Sequence, residues 1–238
     1  MQLLDDHIGR DGFRLRGTAM SRIDAFSDVV FGFALTLIVV SLDVPKNFAD
    51  LHHLLRGFPP FAVTFLMLML VWHTHYKFFR RFGLHDMGTI SLNAAVLFCV
   101  LFYVYPLKFM FAAAFGTGVT IDTAQQVREL TLLYCAGFSS IYFLFAGMYA
   151  NAWRQRERLA LTTLERRLTG IYFWEECCSA LVGVVVAIIA MLLPAADSAT
   201  AAIGFSLIGV HETVLGRMRG KASQTLPHAD PAACAPDM

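Results

Sequence analysis

Residues 22–45, RIDAFSDVVFGFALTLIVVSLDVP, decide how the rest of the chain is read. From residue 31 to residue 40 there is no charge, while Arg22, Asp24 and Asp28 crowd one end. About 20 predominantly apolar residues at a 1.5 Å rise cross the hydrocarbon of a bilayer, so the stretch reads as a membrane-spanning helix. Ionisable groups inside such a span are costly and mark an ion path, a relay or a helix contact. The acids here lie at the helix N-terminus, where the dipole favours negative charge. Ser21-Arg22-Ile23-Asp24 also fits a capping box, with Ser21 as N-cap and Asp24 reaching back, which leaves Asp24 a purely local role.

Working outward, the chain is uniformly of this kind. Of its 238 residues 57% are hydrophobic and 16% charged, and a mean hydropathy of +0.57 excludes an ordinary soluble domain. Six runs are apolar enough to span, at about 26–44, 59–79, 89–112, 129–151, 171–193 and 199–216. The first run starts too late and is too long for a signal peptide, and it lacks a small-residue cleavage site. The fold class expected is all-α: six transmembrane helices in one domain over 22–218, behind a cytoplasmic segment 1–21 and ahead of a disordered, Pro/Ala-rich cytoplasmic tail 219–238 that holds Cys234. Lys and Arg set the orientation. One set of alternate loops holds 15 of them, in 10–22, 77–81, 154–167 and 217–221, against 4 in the other, Lys46, Arg56, Lys108 and Arg128. The positive-inside rule then places both termini in the cytoplasm. A net charge of +1 carries no partner information, because the charge is sorted by side. Cys99, Cys135, Cys177 and Cys178 fall within spans, where cysteine packs as a small hydrophobe rather than as a disulfide framework.

Local signals refine the boundaries. Pro45 is expected to close the first span, Pro59-Pro60 to open the second, and Pro106 to kink the third or end it early. Residues 116–122, GTGVTID, read as a loop, and 194–198 as a tight turn. With this topology the polar residues collect in the inner third: Arg22, Ser27 and Asp28, then Trp72, His73 and His75, Asn93, Trp174, Glu175, Glu176, His211 and Glu212. They suit a hydrogen-bonded collar beneath an apolar bundle. His73 and His75 point about 200° apart on a helix and cannot chelate one metal. His75 is assigned to the first-span network and His73 to the membrane interface. His52-His53 could bind a metal or sense pH, although a pair in an outer loop is read as incidental. Glu175 and Glu176 are expected to pair with Arg166 or Arg167, with a proton-linked role as the alternative. The stretch 154–167, RQRERLALTTLERR, reads as an interfacial helical extension held by anionic lipid. Nothing calls for nucleic acid, a metal or a cofactor.

On the first span, Phe33, Leu37 and Val40 follow i, i+4, i+7 and share a face about 10 Å long. Gly32 and Ala34 on the other side let a neighbour approach. Spacing alone leaves this stripe as core, lipid-facing surface or pore wall.

Arg22-x-x-x-Phe26-Ser27-Asp28, then Phe31-Gly-Phe-Ala-Leu-Thr-Leu and Pro45, resembles the signature first helix of the transmembrane protein 175 family of potassium channels. Trp72-x-x-His75 is similar to that family's Trp-x-x-His on the second helix, and six spans per chain suit its prokaryotic members. The resemblance implies a homotetramer in the bacterial inner membrane, with the first helix of each subunit lining a central pore for potassium ions. Its apolar constriction rings would be Phe33, Leu37 and Val40, with Thr36 matching a threonine implicated in potassium preference. Arg22, Ser27, Asp28, Trp72 and His75 would form the inner packing network. Phe33 stands where characterised prokaryotic members have isoleucine or leucine, and Tyr76 where many have a second histidine. The expected function is a leak-type potassium channel and not an enzyme. The alternatives are a proton or non-selective cation pathway on the same scaffold, or a non-conducting relative.

Overall fold

Backbone amides in hydrocarbon must be satisfied within their own segment, and the apolar runs accordingly fold as helices. The computed structural model describes residues 8–9, 11–40, 45–117 and 119–225. The helices are α1 (Arg22–Val40), α2 (Phe48–Arg56), α3 (Phe58–Phe82), α4 (Met87–Ala114), α5 (Ala124–Arg154), α6 (Thr163–Leu192) and α7 (Leu207–Thr225), with a 3₁₀ helix over Ala195–Ser206 leading into α7. Six stretches are long and apolar enough to cross a membrane: α1, α3, α4, α5, α6 and the joined 3₁₀ helix and α7. Among the described residues there is no β-strand.

The helix starts are set by side chains. At α1 the Ser21 amide donates to Asp24 Oδ2 and the Asp24 amide to Ser21 Oγ, both at 3.1 Å, which makes the capping box reciprocal. Thr123 with Gln126 and Thr162 with Glu165 repeat the device at α5 and α6. Asp86 caps α4 through the Thr89 amide and also takes Nδ2 of Asn151, at the far end of α5, at 3.0 Å. Burial alone would raise the Asp86 carboxyl; hydrogen bonds from Gln155, Thr89 and Asn151 outweigh it and hold that group well below the ordinary carboxylate range. At the end of α3, Gly83 takes a left-handed conformation (φ 55°) and returns its amide to the Phe79 carbonyl.

Among the helices, α1 lies against α3 and α4, α5 packs antiparallel on α6, the 3₁₀ helix covers the α5–α6 pair, and α7 lies along α6. The core runs along these seams through Phe31, Ile38, Phe78, Phe82, Phe145, Tyr149, Leu164 and Leu168. Close approach depends on glycine at Gly137, where a Cβ would run into the Tyr103 ring.

Residues 11–20 form a strap across one end of the bundle, which we call the strap end. Phe13 is fully buried, edge-on to Phe82 at 5.4 Å and under the Arg81 guanidinium at 5.3 Å. The Arg16 and Gly17 amides donate to the Arg81 and Arg80 carbonyls. Arg14 and Arg16 converge on Glu165, whose side chain has no exposed surface. Arg81 binds Asp11 at 2.6 Å, and Ser223 Oγ donates to the Asp11 carbonyl at 3.1 Å. The strap thereby ties the end of α3, the start of α6 and the end of α7.

Several expectations need correction. Of the two outcomes expected at Pro106, the early end does not occur, since α4 continues to Ala114; a bundled span tolerates the missing N–H because neighbouring groups compensate. In place of a tight turn at 194–198, Pro194 leads into the 3₁₀ helix, which is rich in Ala, Ser and Gly small enough for eclipsed turns. Ser198 Oγ and Thr200 Oγ1 reinforce it by donating three residues back, to Ala195 and Asp197. Residues 155–160 are turns rather than a helical extension. α7 runs to Thr225, so 219–225 are helical; the rest of the expected tail, with Cys234, lies outside the described residues, as do residues 41–44 before Pro45.

Candidate functional site

α1 has two unlike faces. Ser27, Phe31, Ala34 and Ile38, spaced i, i+4, i+7, i+11, are buried against α3 and α4. The other side is exposed: Phe26 by 63%, Val29 by 69%, Phe33 by 59% and Val40 by 77%. Thr36 shares that side, and Leu37 is half-buried at its edge. The Thr36 hydroxyl donates to the Phe33 carbonyl at 2.7 Å. Of the three residues of the predicted stripe, Phe33 and Val40 therefore lie on the exposed side of α1.

The buried face carries a polar anchor at the strap end. Ser27 Oγ donates to the Ile23 carbonyl at 2.8 Å, so its oxygen accepts from Asn93 Nδ2 at 3.0 Å. Asn93 Oδ1 is then the acceptor for His75 Nε2 at 2.7 Å, which makes Nε2 the protonated ring nitrogen. Phe31 and Phe79 pack on the His75 ring at 5.4 and 4.7 Å. One helical turn away, Trp72 Nε1 donates to Asp28 Oδ1 at 2.9 Å, and Tyr76 stacks on Trp72. α1, α3 and α4 are thus joined by one hydrogen-bonded chain and one separate bond. Ser27, Asp28, Trp72 and His75 come together here. Arg22 does not: it is exposed and makes no hydrogen bond or ion pair with a described residue.

Asn93 is the member that sequence reasoning placed only by depth. Its buried amide is the link between the serine and the histidine. An asparagine inside an otherwise apolar span was itself the available signal.

Beside the anchor an apolar cleft of about 250 Å³ opens between α1 and α3, lined by Phe31, Gly32, Leu35, Leu68, Met69 and Trp72 with Asp28 at one end. A Cβ on Gly32 would meet nothing within 4 Å.

A second polar cluster joins α6 to α7. Glu175 binds Arg219 Nη1 at 2.7 and 2.8 Å, Glu212 lies 3.7 Å from Arg219, and Ser179 Oγ meets His211 Nε2 at 3.0 Å. The partner of Glu175 is therefore Arg219, not the expected Arg166 or Arg167. Glu176 is buried beside it. His73 is exposed, and His52 lies on α2 against Phe48. Among the described residues no three His, Cys, Asp or Glu side chains are grouped to hold a metal ion.

Six apolar helical stretches and a first span fastened by polar bonds on one side only make this a multi-pass helical membrane protein. The family model for the endosomal/lysosomal potassium channel TMEM175 matches residues 22–103. A protein of Marivirga tractuosa named as a potassium channel is 36% identical over 167 residues, 64% of this chain and 67% of its own. A potassium channel of Chamaesiphon minutus is 29% identical over 139 residues, 55% of this chain and 64% of its own. The fold matches a variant of the potassium channel MtTMEM175, crystallised with a nanobody–MBP fusion, at a TM-score of 0.74 and 31% identity over 88% of this chain and 97% of that one. It also matches the fold of a TMEM175 homologue from Chamaesiphon minutus, at a TM-score of 0.56 and 21% identity, covering 82% and 96%. The chain belongs to the TMEM175 family, and these relatives are ion channels, not enzymes.

Proposed function

We propose that this chain is one subunit of a homotetrameric, leak-type potassium channel of the bacterial inner membrane, with both termini in the cytoplasm and α1 of each copy lining a central pore. The observation that carries the reading is the division of α1: one face stapled by Ser27 and Asp28 to α3 and α4, the other a row of Phe26, Val29, Phe33, Thr36 and Val40 that the described residues leave largely exposed. A neighbouring copy seated beside Gly32 would fill the cleft between α1 and α3 and bring four such rows around one axis. Phe33, Leu37 and Val40 would then form apolar rings. A narrow apolar ring blocks ions by dewetting, so a small helix movement or a phenyl rotamer change gates it. Apolar rings offer no ligands, and Thr36 places the nearest hydroxyl for potassium preference. The chain has no TVGYG-type segment for a carbonyl filter.

A second reading, a proton or mixed-cation pathway on the same scaffold, is favoured by the grouping of Glu175, Glu176 and Glu212 between α6 and α7. Potassium flux into proteoliposomes, measured against sodium and proton flux for wild type and Phe33→Ala, separates the two. Potassium flux that rises severalfold in Phe33→Ala supports the pore with its gate at Phe33. Proton flux without potassium flux favours the second reading. A well-folded tetramer that moves none of the three ions would make this a non-conducting relative.

A further inference from the structure

The α5–α6 hairpin carries positive charge that the pore does not use. Its connecting turns and flanking ends hold Arg154, Arg156, Arg158, Arg166 and Arg167 against two acids, Glu157 and Glu165. Glu165 is unavailable to them. It is buried, and its oxygens accept from Arg14, Arg16 and the Thr162 amide. Glu157 answers Arg156 at 3.6 Å and Arg166 at 3.1 Å, and Arg158 bonds to Gln155. Arg154 and Arg167 are exposed and make no hydrogen bond or ion pair with a described residue.

Arg167 heads an outward stripe along α6. At intervals of three and four residues it is followed by Gly170, Trp174, Cys178, Leu181, Val185, Ile188 and Leu192, with Trp174 exposed by 60% and Leu192 by 81%. A Cβ at Gly170 would meet nothing within 4 Å, so the backbone lies open between guanidinium and indole. Trp153, 40% exposed, marks the same end of the hairpin on α5. Read from its charged end, the stripe runs cation, gap, interfacial indole, aliphatic row. A phospholipid presents the matching order of phosphate, glycerol, interface and acyl chain.

We propose that this notch is a binding site for an anionic phospholipid of the leaflet at the strap end. Arg167 takes the phosphate, Arg154 adds to the local field, Gly170 leaves room for the glycerol backbone, and Trp174 with the aliphatic row receives the acyl chains. Charge complementarity selects the anionic head, and continuity with the apolar stripe selects a lipid over a soluble phosphate. The placement of this face on the perimeter rests on the pore reading, since α1 touches α3 and α4 and the hairpin lies beyond them. Lipid binding is read without conduction, so either idea can fail alone.

The test uses the purified protein in phosphatidylcholine vesicles containing a minority of phosphatidylglycerol, with bromine on the acyl chains of one lipid or the other, and reads tryptophan quenching. Brominated phosphatidylglycerol is expected to quench beyond its mole fraction. Arg154→Ala/Arg167→Ala should cut that preference about fivefold per arginine removed, while the double lysine variant keeps most of it. Equal quenching by both lipids in the wild type, or an unchanged preference in the alanine variant, overturns the site. Competition by free glycerol phosphate as complete as the double substitution assigns it to a soluble phosphate instead. Should the alanine variant not fold, the wild type decides alone: preference at low salt that fades at high salt supports the site, and absence of preference at both rejects it.

Discussion

Asn93→Ala isolates the polar anchor on α1. The wild-type amide makes two buried interhelical bonds, to Ser27 Oγ at 3.0 Å and to His75 Nε2 at 2.7 Å. If each were worth the average of such bonds in membrane proteins, about 0.6 kcal/mol, the loss would total about 1.2 kcal/mol. The geometry argues for more. Ser27 keeps its bond to the Ile23 carbonyl, but the His75 N–H loses its acceptor while Phe31 and Phe79 cover the ring. An orphaned buried donor costs about 1–3 kcal/mol by itself. The expected total is therefore about 2–4 kcal/mol, a drop of roughly 5–15 °C in apparent melting temperature for a chain of this length. Thermal melts of the detergent-solubilised protein, read by light scattering and intrinsic fluorescence, measure it. His75→Phe in the Asn93→Ala background removes the orphaned donor and should recover part of the loss. The cycle of Asn93→Ala with His75→Ala should show a coupling of about 1–2 kcal/mol. A single-variant cost below about 0.5 kcal/mol, or strict additivity in the cycle, would mean that α1 is held by its apolar seam and the anchor contributes nothing.

Glu165→Gln keeps the shape of the strap's hub but removes the charge on which Arg14 and Arg16, each about one-fifth exposed, converge; a loss of about 2 kcal/mol is expected, discounted from the cost of fully buried pairs. Limited trypsin digestion should then cut at Arg14 or Arg16 much faster than in wild type, and equal cleavage rates would refute the hub. Gly137→Ala sets a methyl against the Tyr103 ring and should cost about 1–3 kcal/mol in the same melts, whereas a neutral effect would show that α4 and α5 can move apart freely. Asp86→Asn tests a pH dependence. A carboxyl held below its unfolded value stabilises the fold above about pH 4 and loses that contribution as pH falls through the lower folded value. The gap between wild type and variant, about 1 kcal/mol after allowing for exposure, should be flat from about pH 5 to 8 and shrink below about pH 4. A gap that widens on acidification would contradict the sign.

The spans were legible because their signal is one-dimensional: some twenty apolar residues have few other fates, and the Ser21–Asp24 box needs only four consecutive positions. What sequence reasoning missed depended on rotation and register. Asn93 reaches Ser27 only because α4 turns that face toward α1, and the spacing along either helix does not encode this. Pairing Glu175 with Arg166 or Arg167 assumed that the arginines lay in a loop. With α6 starting at Thr163 they sit eight or nine residues away on the same helix, about 12–13 Å along its axis. α7 instead brings Arg219 alongside. The strap has no apolar periodicity at all, and its bonds join residues as far apart as Arg14 and Glu165.

The position of the anchor bears on how α1 could gate a pore. Its side-chain bonds to other helices leave α1 from Ser27 and Asp28, within the first two turns, and the strap holds the chain just before them. Beyond Phe31 the helix is held by apolar contacts at Ala34 and Ile38, and by the Lys108 ammonium on the Ile38 carbonyl. A tilt about the anchor therefore moves the far end most. Phe33 lies five residues from Asp28, about 7.5 Å along the axis, and Val40 twelve residues, about 18 Å. A 10° tilt would shift them by roughly 1.3 and 3 Å. On the pore reading the Val40 ring opens and closes with the tilt, while the Phe33 ring changes little unless its phenyl groups change rotamer. Cysteines at 33 and 40, probed for accessibility to a small thiol reagent in conducting and non-conducting conditions, distinguish the two motions. A state-dependent change at position 40 with little at 33 fits a tilt about the anchor. Equal changes at both would mean that α1 turns as a rigid rod, and that the anchor breaks on gating.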